Sequence, residues 1–297
     1  MGEAVATWGG RTFAWLEVGD RHGPLVIHNH GGPSSRLEAR LFEAAAAKNR
    51  IRLVCVDRPG IGRSSPQTNR SYAGWAEDMV AIADALGAGT FGVTGWSEGG
   101  PWALAAAAYI DPGRLRHVSS VAGGSYGAFG DNWAADQLSR ADAIGGTLAL
   151  RFKPGFRLMY AALGVAATRY RETFVDQVRK AVNDYDRQIL LRPAVAAAFG
   201  EMSAECFAQG CGGLVRDSEL LYRRWAFDVE AITRPVHMWQ GTDDRLVAAS
   251  INRTVADRMP GSVWHSVEGA GHFVAVGAAD EVFAVAAADL GGAPSRP

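Results

Sequence analysis

The chain has 297 residues, 48% of them hydrophobic, and a formal net charge of −1. That length suits one large α/β domain or a domain carrying an insertion. The near-zero charge supplies no basic field for nucleic acid and no acidic tail. Arginine outnumbers lysine, which occurs only as Lys48, Lys153 and Lys180. No apolar run reaches the roughly 18 residues a membrane helix needs.

Strand and helix signals alternate along the first part of the chain. Residues 12–18 and 24–30 read as strands and 36–47 as helix. Residues 51–57 read as strand, 72–86 as helix, 90–95 as strand, 99–110 as helix and 116–122 as strand. Continuous apolar strands between helices imply a mostly parallel sheet covered on both faces. From residue 125 to 230 the pattern turns helical and rich in aromatics, among them Tyr126, Phe156, Tyr160 and Phe174. Alternation resumes with strand 234–241, a helix near 247–258, strand 262–269 and a final helix over 273–289. The expected organisation is an α/β core of 1–124 and 231–297, with 125–230 inserted as a helical cap over a pocket.

The stretch "TGWSEGG" (94–100) places Ser97 between glycines where a strand becomes a helix. Glycines tolerate the crowding of so tight a turn. The serine then sits at the tip of an elbow of the G-x-S-x-G kind, above a helix N-terminus. A serine needs a base, and the base needs an orienting acid. His272, in "GAGHF" (269–273), is the histidine best placed in a loop after a strand. Asp243 and Asp244, in "GTDDRLV" (241–247), both qualify as the acid, and the other of the two is free to cap the following helix. "HNHGGPSS" (28–35) offers the backbone N–H of Gly32 as an oxyanion donor, beside that of Glu98.

These motifs together resemble the α/β-hydrolase superfamily of esterases, lipases, lactonases and some peptidases. "HGGP" (30–33) is similar to its oxyanion loop and "DRPGIGRSS" (57–65) to its D-x-x-G-x-G-x-S segment. "GWSEG" (95–99) is similar to its elbow, and the order Ser…Asp…His is the family's order. The family's acid stands three residues after the glycine, so the resemblance selects Asp244. It implies the α/β-hydrolase fold, with a mostly parallel central sheet flanked by helices and an inserted helical cap.

The expected chemistry is hydrolysis of a small or medium carboxylic ester or lactone. Ser97, His272 and Asp244 form a triad, and an acyl-enzyme is the intermediate. Trp96 and Phe273, flanking the triad in sequence, are candidate substrate contacts. No cofactor or metal is implied. Three alternatives stay open. One is a proline iminopeptidase-like aminopeptidase, for which Glu98, Glu201, Glu205 and Glu219 are available acids. A second is a C–C bond hydrolase, and a third a non-catalytic small-molecule receptor on the same fold. Arg140, Arg151, Arg157, Arg169 and Arg171 leave an anionic substrate open. The three cysteines (Cys55, Cys206, Cys211) lack metal-ligand spacing and read as free thiols. The N-terminal residues show no basic-then-apolar leader, so a cytoplasmic location is expected. No membrane or nucleic-acid partner is expected, and homodimerisation through the cap or the last helix is left open.

Overall fold

A computed structural model describes residues 2–291; residues 1 and 292–297 of the expected core lie outside the described residues. Among the described residues eight strands form one sheet: β1 (Gly2–Trp8), β2 (Arg11–Gly19), β3 (Leu25–Asn29), β4 (Arg52–Val56), β5 (Phe91–Trp96), β6 (Leu115–Val121), β7 (Val236–Gly241) and β8 (Ser262–Val267). Their order is β1-β2-β4-β3-β5-β6-β7-β8. Strands β3 to β8 run parallel, whereas β1 pairs antiparallel with β2, and β2 with β4. Strands β3 and β5 are buried along their whole length. This explains why they read as largely apolar runs rather than as alternating patterns.

Twelve α-helices follow in chain order among the described residues. They are α1 (Glu43–Lys48), α2 (Tyr72–Ala85), α3 (Gly100–Tyr109), α4 (Arg140–Arg151), α5 (Lys153–Arg169) and α6 (Arg171–Ala181), then α7 (Asp184–Leu190), α8 (Pro193–Glu205), α9 (Gly212–Tyr222), α10 (Ala249–Arg258), α11 (Val274–Gly277) and α12 (Ala279–Asp289). Residues of α2, α3 and α10 pack one face of the sheet through Trp75, Trp102 and Val255. Residues of α1 and α12 pack the other through Ala46 and Phe283. Helix α3 is apolar almost all round and nearly wholly buried, as a helix in the middle of a core must be. Pro101 opens it, where a missing N–H costs nothing.

Three boundaries differ from the sequence reading. The helix expected over 36–47 is a 3-10 turn (Arg36–Leu41) followed by α1. The final helix is interrupted at Ala278, between α11 and α12. Strand β1 was not anticipated. It is an edge strand with half its residues exposed, turned into β2 by Gly9 and Gly10, which have φ of 56° and 74°.

Helices α4 to α9 all lie between β6 and β7, and the described residues 125–230 contain no strand. They hold a core of their own, with Phe156, Tyr160 and Tyr222 buried together. Residues Val182, Leu190 and Met202 of the same stretch pack on Trp96 and Phe273 of the sheet's C-terminal end. None of the described helices is long and apolar enough to cross a membrane.

Candidate active site

Strand β5 passes directly into a 3-10 turn (Ser97–Gly99) and then into α3. The strain falls on Ser97 itself, whose φ is 56°. A non-glycine residue adopts this left-handed region only when its surroundings enforce it. The flanking glycines supply space instead. A Cβ on Gly95 would collide with the Gly99 carbonyl, and one on Gly99 with the Asn29 carbonyl.

Ser97 and His272 line one cavity of about 280 Å³, together with Gly32, Glu98, Trp96 and Phe273. The His272 Nδ1 lies 2.9 Å from Asp244 Oδ2. With that proton on Nδ1, Nε2 presents its lone pair. No hydrogen bond joins Ser97 Oγ to His272 among the described residues, a contact that commonly tightens only when substrate seats. Asp244 is held firmly. Its Oδ2 also accepts from Gln240 Nε2 (3.1 Å), and its Oδ1 accepts from the N–H groups of Leu246 (2.8 Å) and Val247 (2.9 Å). Asp243 is exposed and takes part only through its backbone N–H to the Ala270 carbonyl (2.9 Å). The helix-capping role left open for the second aspartate is not seen: α10 begins after Ala248 with no side-chain cap. Burial disfavours the His272 imidazolium, but the charge and hydrogen bond of Asp244, helped by Asp186 and Asp142, outweigh it and raise the imidazole's pKa.

The "HGGP" loop sits against the elbow, close enough that a Cβ on Gly31 would touch that of Ser97 at 3.3 Å. The N–H of Gly31 is already taken by Glu38, at 3.0 Å from Oε2. The N–H of Gly32 has no hydrogen-bond partner among the described residues and remains available beside the serine. Arg58, from "DRPG", fastens this loop by donating to the carbonyls of His30 and Gly31 (3.2 Å to the latter). Arg58 is in turn paired with Asp217 of α9 at 2.6 Å, and Asp217 also takes Arg70 at 2.5 Å. A buried ion triad therefore ties the helical stretch to the loop.

Glu98 is the unusual member. Its Oε1 accepts from Ser218 Oγ at 3.0 Å, while its buried Oε2 has no partner among the described residues. A Cβ on Gly32 would collide with this carboxyl, so Glu98 lies over the loop. Burial pushes its pKa up to about 7, opposed by Arg58 and assisted by Asp217. Trp96 and Phe273 are both buried and pack edge to face at 5.1 Å. The indole N–H of Trp96 donates to the His272 carbonyl (2.9 Å), so this side chain supports the histidine loop as well as lining the cavity.

Several site residues carried no signal in the sequence. Asp186 of α7 accepts from the N–H of His272 (2.7 Å) and of Phe273 (2.9 Å), clamping the histidine loop from 86 residues away. Asp142 of α4 lines the cavity, takes hydrogen bonds from Ser139 Oγ (2.7 Å) and Tyr222 OH (3.0 Å), and has its pKa raised by burial. Glu38 bridges Gly31 to His28, whose Nε2 is 2.7 Å away. A lone acid on a helix has no motif, and nothing in the sequence marks Asp186 as the acid of α7 that is buried. In contrast, none of the five arginines weighed for an anionic substrate lines the cavity. Neither do Glu201, Glu205 and Glu219; Glu201 pairs with Arg40 and Glu205 with Arg36.

Comparison with known proteins agrees with the fold. The chain is 28% identical to a pimeloyl-[acyl-carrier protein] methyl ester esterase of Xanthomonas campestris, over 88% of this chain and 92% of that protein. Among solved structures it is similar to an α/β-hydrolase fold protein from Nakamurella multipartita (TM-score 0.66, 22% identity, covering 98% of this chain and all of that one). It is likewise similar to the enol-lactonase from Burkholderia xenovorans (TM-score 0.66, 18% identity, covering 97% and 100%). A family model described as alpha/beta hydrolase fold matches residues 24–278, and the chain belongs to that family.

Proposed function

We propose that this protein is a serine hydrolase that cleaves an uncharged carboxylic ester with a small or medium acyl group. One observation carries the reading. Ser97, strained to φ 56°, shares a single cavity with a histidine whose far nitrogen is bound to a buried aspartate at 2.9 Å. In the first step Ser97 Oγ attacks the ester carbonyl while His272 Nε2 takes its proton, and Asp244 stabilises the imidazolium. The N–H groups of Gly32 and Glu98 hold the oxyanion, an interaction worth a few kcal/mol per donor. His272 then protonates the leaving alcohol and activates water to release the acid.

The cavity's charge narrows the substrate. Its ionisable lining is acidic (Glu38, Glu98, Asp142) apart from His272 and Tyr126. A free carboxylate has no partner there, whereas a neutral acyl chain fits the apolar walls of Phe174, Phe199, Met202 and Leu246. The ester hydrolysis named for the Xanthomonas relative supports the same bond type. A second reading, an aminoacyl ester or amide, is favoured by Glu98 and Asp142 as anchors for an ammonium group. Helices α4 to α9 serve as a cap in this proposal, supported by the site residues they contribute. A cytoplasmic location is supported by three free cysteines. A homodimer through the cap is supported by exposed Leu158 and Val165 on α5.

The test is hydrolysis of p-nitrophenyl esters from acetate to decanoate by the wild type and Ser97→Ala, with proline β-naphthylamide alongside. Loss of at least about a thousandfold in the variant is expected. Equal rates for the two proteins would remove Ser97 from the mechanism. Faster turnover of the naphthylamide than of every ester would favour the aminoacyl reading.

A further inference from the structure

Three of the seven histidines meet far from the elbow. His117, His237 and His265 stand on the adjacent strands β6, β7 and β8. His117 and His237 lie near the N-terminal ends of their strands. Ser97, Asp244 and His272 all follow the C-terminal ends, one strand length of about 13 Å or more away. The rings of His117 and His237 stack at 5.4 Å, and that of His265 lies on Trp239 at 3.9 Å. Asp289, the last residue of α12, brings its Oδ2 to 2.7 Å from His117 Nδ1 and 3.1 Å from His237 Nε2. The three ligand-type atoms lie within 4.8 Å of one another.

We propose that His117, His237 and Asp289 form a binding site for a zinc-class divalent cation that pins α12 to the sheet, separate from the hydrolase centre. Two imidazole nitrogens and a carboxylate oxygen are the donor set that suits zinc and neighbouring transition metals, and not magnesium or calcium. Around a tetrahedral ion with bonds of about 2.0–2.1 Å, ligand atoms stand about 3.3 Å apart, so the present 2.7 and 3.1 Å open by about 0.6 and 0.2 Å, while the two histidine nitrogens, within 4.8 Å of each other, settle to the same separation.

The outer partners are already in place. Ser119 Oγ lies 2.9 Å from His117 Nε2, and His265 Nε2 lies 2.9 Å from His237 Nδ1. When the cation takes Nδ1 of His117 and Nε2 of His237, each ring's proton moves to its other nitrogen. It is then donated to Ser119 and to His265, the arrangement that fixes ring orientation in such sites. His117 is buried, while Asp289 is 34% exposed at the mouth of a cleft that gives the ion entry and leaves its fourth position to water. Of the two arginines on that cleft, Arg234 is engaged with the Ile110 carbonyl at 3.1 Å.

The experiment uses tag-free full-length protein, stripped with chelator and then freed of it. Zn²⁺, Co²⁺ and Mg²⁺ are titrated by calorimetry and by thermal melting, and Co²⁺ is followed by its visible absorption. One Zn²⁺ per chain is expected, with micromolar or tighter affinity and a rise in Tm of roughly 5 °C at a hundredfold excess over Kd. A tetrahedral Co²⁺ spectrum and no response to Mg²⁺ are expected as well. Asp289→Asn and, separately, His237→Gln are expected to lose at least tenfold in Zn²⁺ affinity while keeping wild-type ester hydrolysis. Absence of stoichiometric Zn²⁺ binding by the wild type would overturn the proposal. So would binding that survives both substitutions unchanged, since the ion would then sit elsewhere.

Discussion

Replacing Glu98 by glutamine isolates the most unusual ionisation in the site. The variant keeps the side chain's shape and its acceptor for Ser218, and removes only the titration. Burial holds the Glu98 pKa at about 7, against an ordinary 4.5. That difference corresponds to roughly 3 kcal/mol between the two protonation states. Between these two values the folded protein retains a proton that the unfolded chain releases. The stability contributed by this proton is therefore fully present below about pH 4.5 and lost as pH rises through about 7. Glutamine does not titrate, so Glu98→Gln is expected to be near neutral at pH 5 and stabilising by roughly 3 kcal/mol at pH 8. Urea unfolding of both proteins at the two pH values gives the double difference directly. The kinetics carry a second signature. Ionised Glu98 beside the Gly32 loop opposes the developing oxyanion, so the fall in kcat/KM of the wild type above pH 7 is expected to flatten in the variant. A stability difference that is the same at pH 5 and pH 8 would refute the argument that burial controls this carboxyl.

Asp244→Asn is expected to lower kcat/KM by about 10³–10⁴-fold, because His272 loses the acceptor that sets its tautomer; Asp243→Asn, at an exposed position, is expected to stay within a few-fold of wild type. Both are read from the same ester kinetics. Asp186→Ala leaves the buried N–H groups of His272 and Phe273 without partners, at a cost of about 1–3 kcal/mol each. A lower Tm together with a fall in kcat is expected, and an unchanged kcat would mean that the histidine loop holds its place without the clamp.

Much of this protein was legible in its order of residues. Parallel strands buried on both faces are mostly apolar, so Leu25–Ile27 of β3 and Leu53–Val56 of β4 stood out as runs. The elbow, the oxyanion loop and the histidine loop are local backbone constructions, each needing its glycines within a few residues of the reactive group. Sequence separation conveys such devices because the constraint is itself local. Asp244 was reached only through the family's spacing, since two adjacent aspartates are indistinguishable by type. Strand β1 escaped because an edge strand with one face in water owes its existence to pairing with β2 rather than to its own composition.

What the order of residues determined was the core, and it singled out Ser97 and His272 as the candidate nucleophile and base. Tertiary structure alone decided which distant acids surround them. Asp186, Asp142 and the Arg58–Asp217–Arg70 triad reach the site from helices and loops scattered over the chain, and an isolated acid on a helix looks the same whether it faces water or a histidine. The same holds for His117, His237 and Asp289, which are brought together by strand register and the return of the last helix. Long-range contacts depend on packing geometry, and no local pattern encodes it.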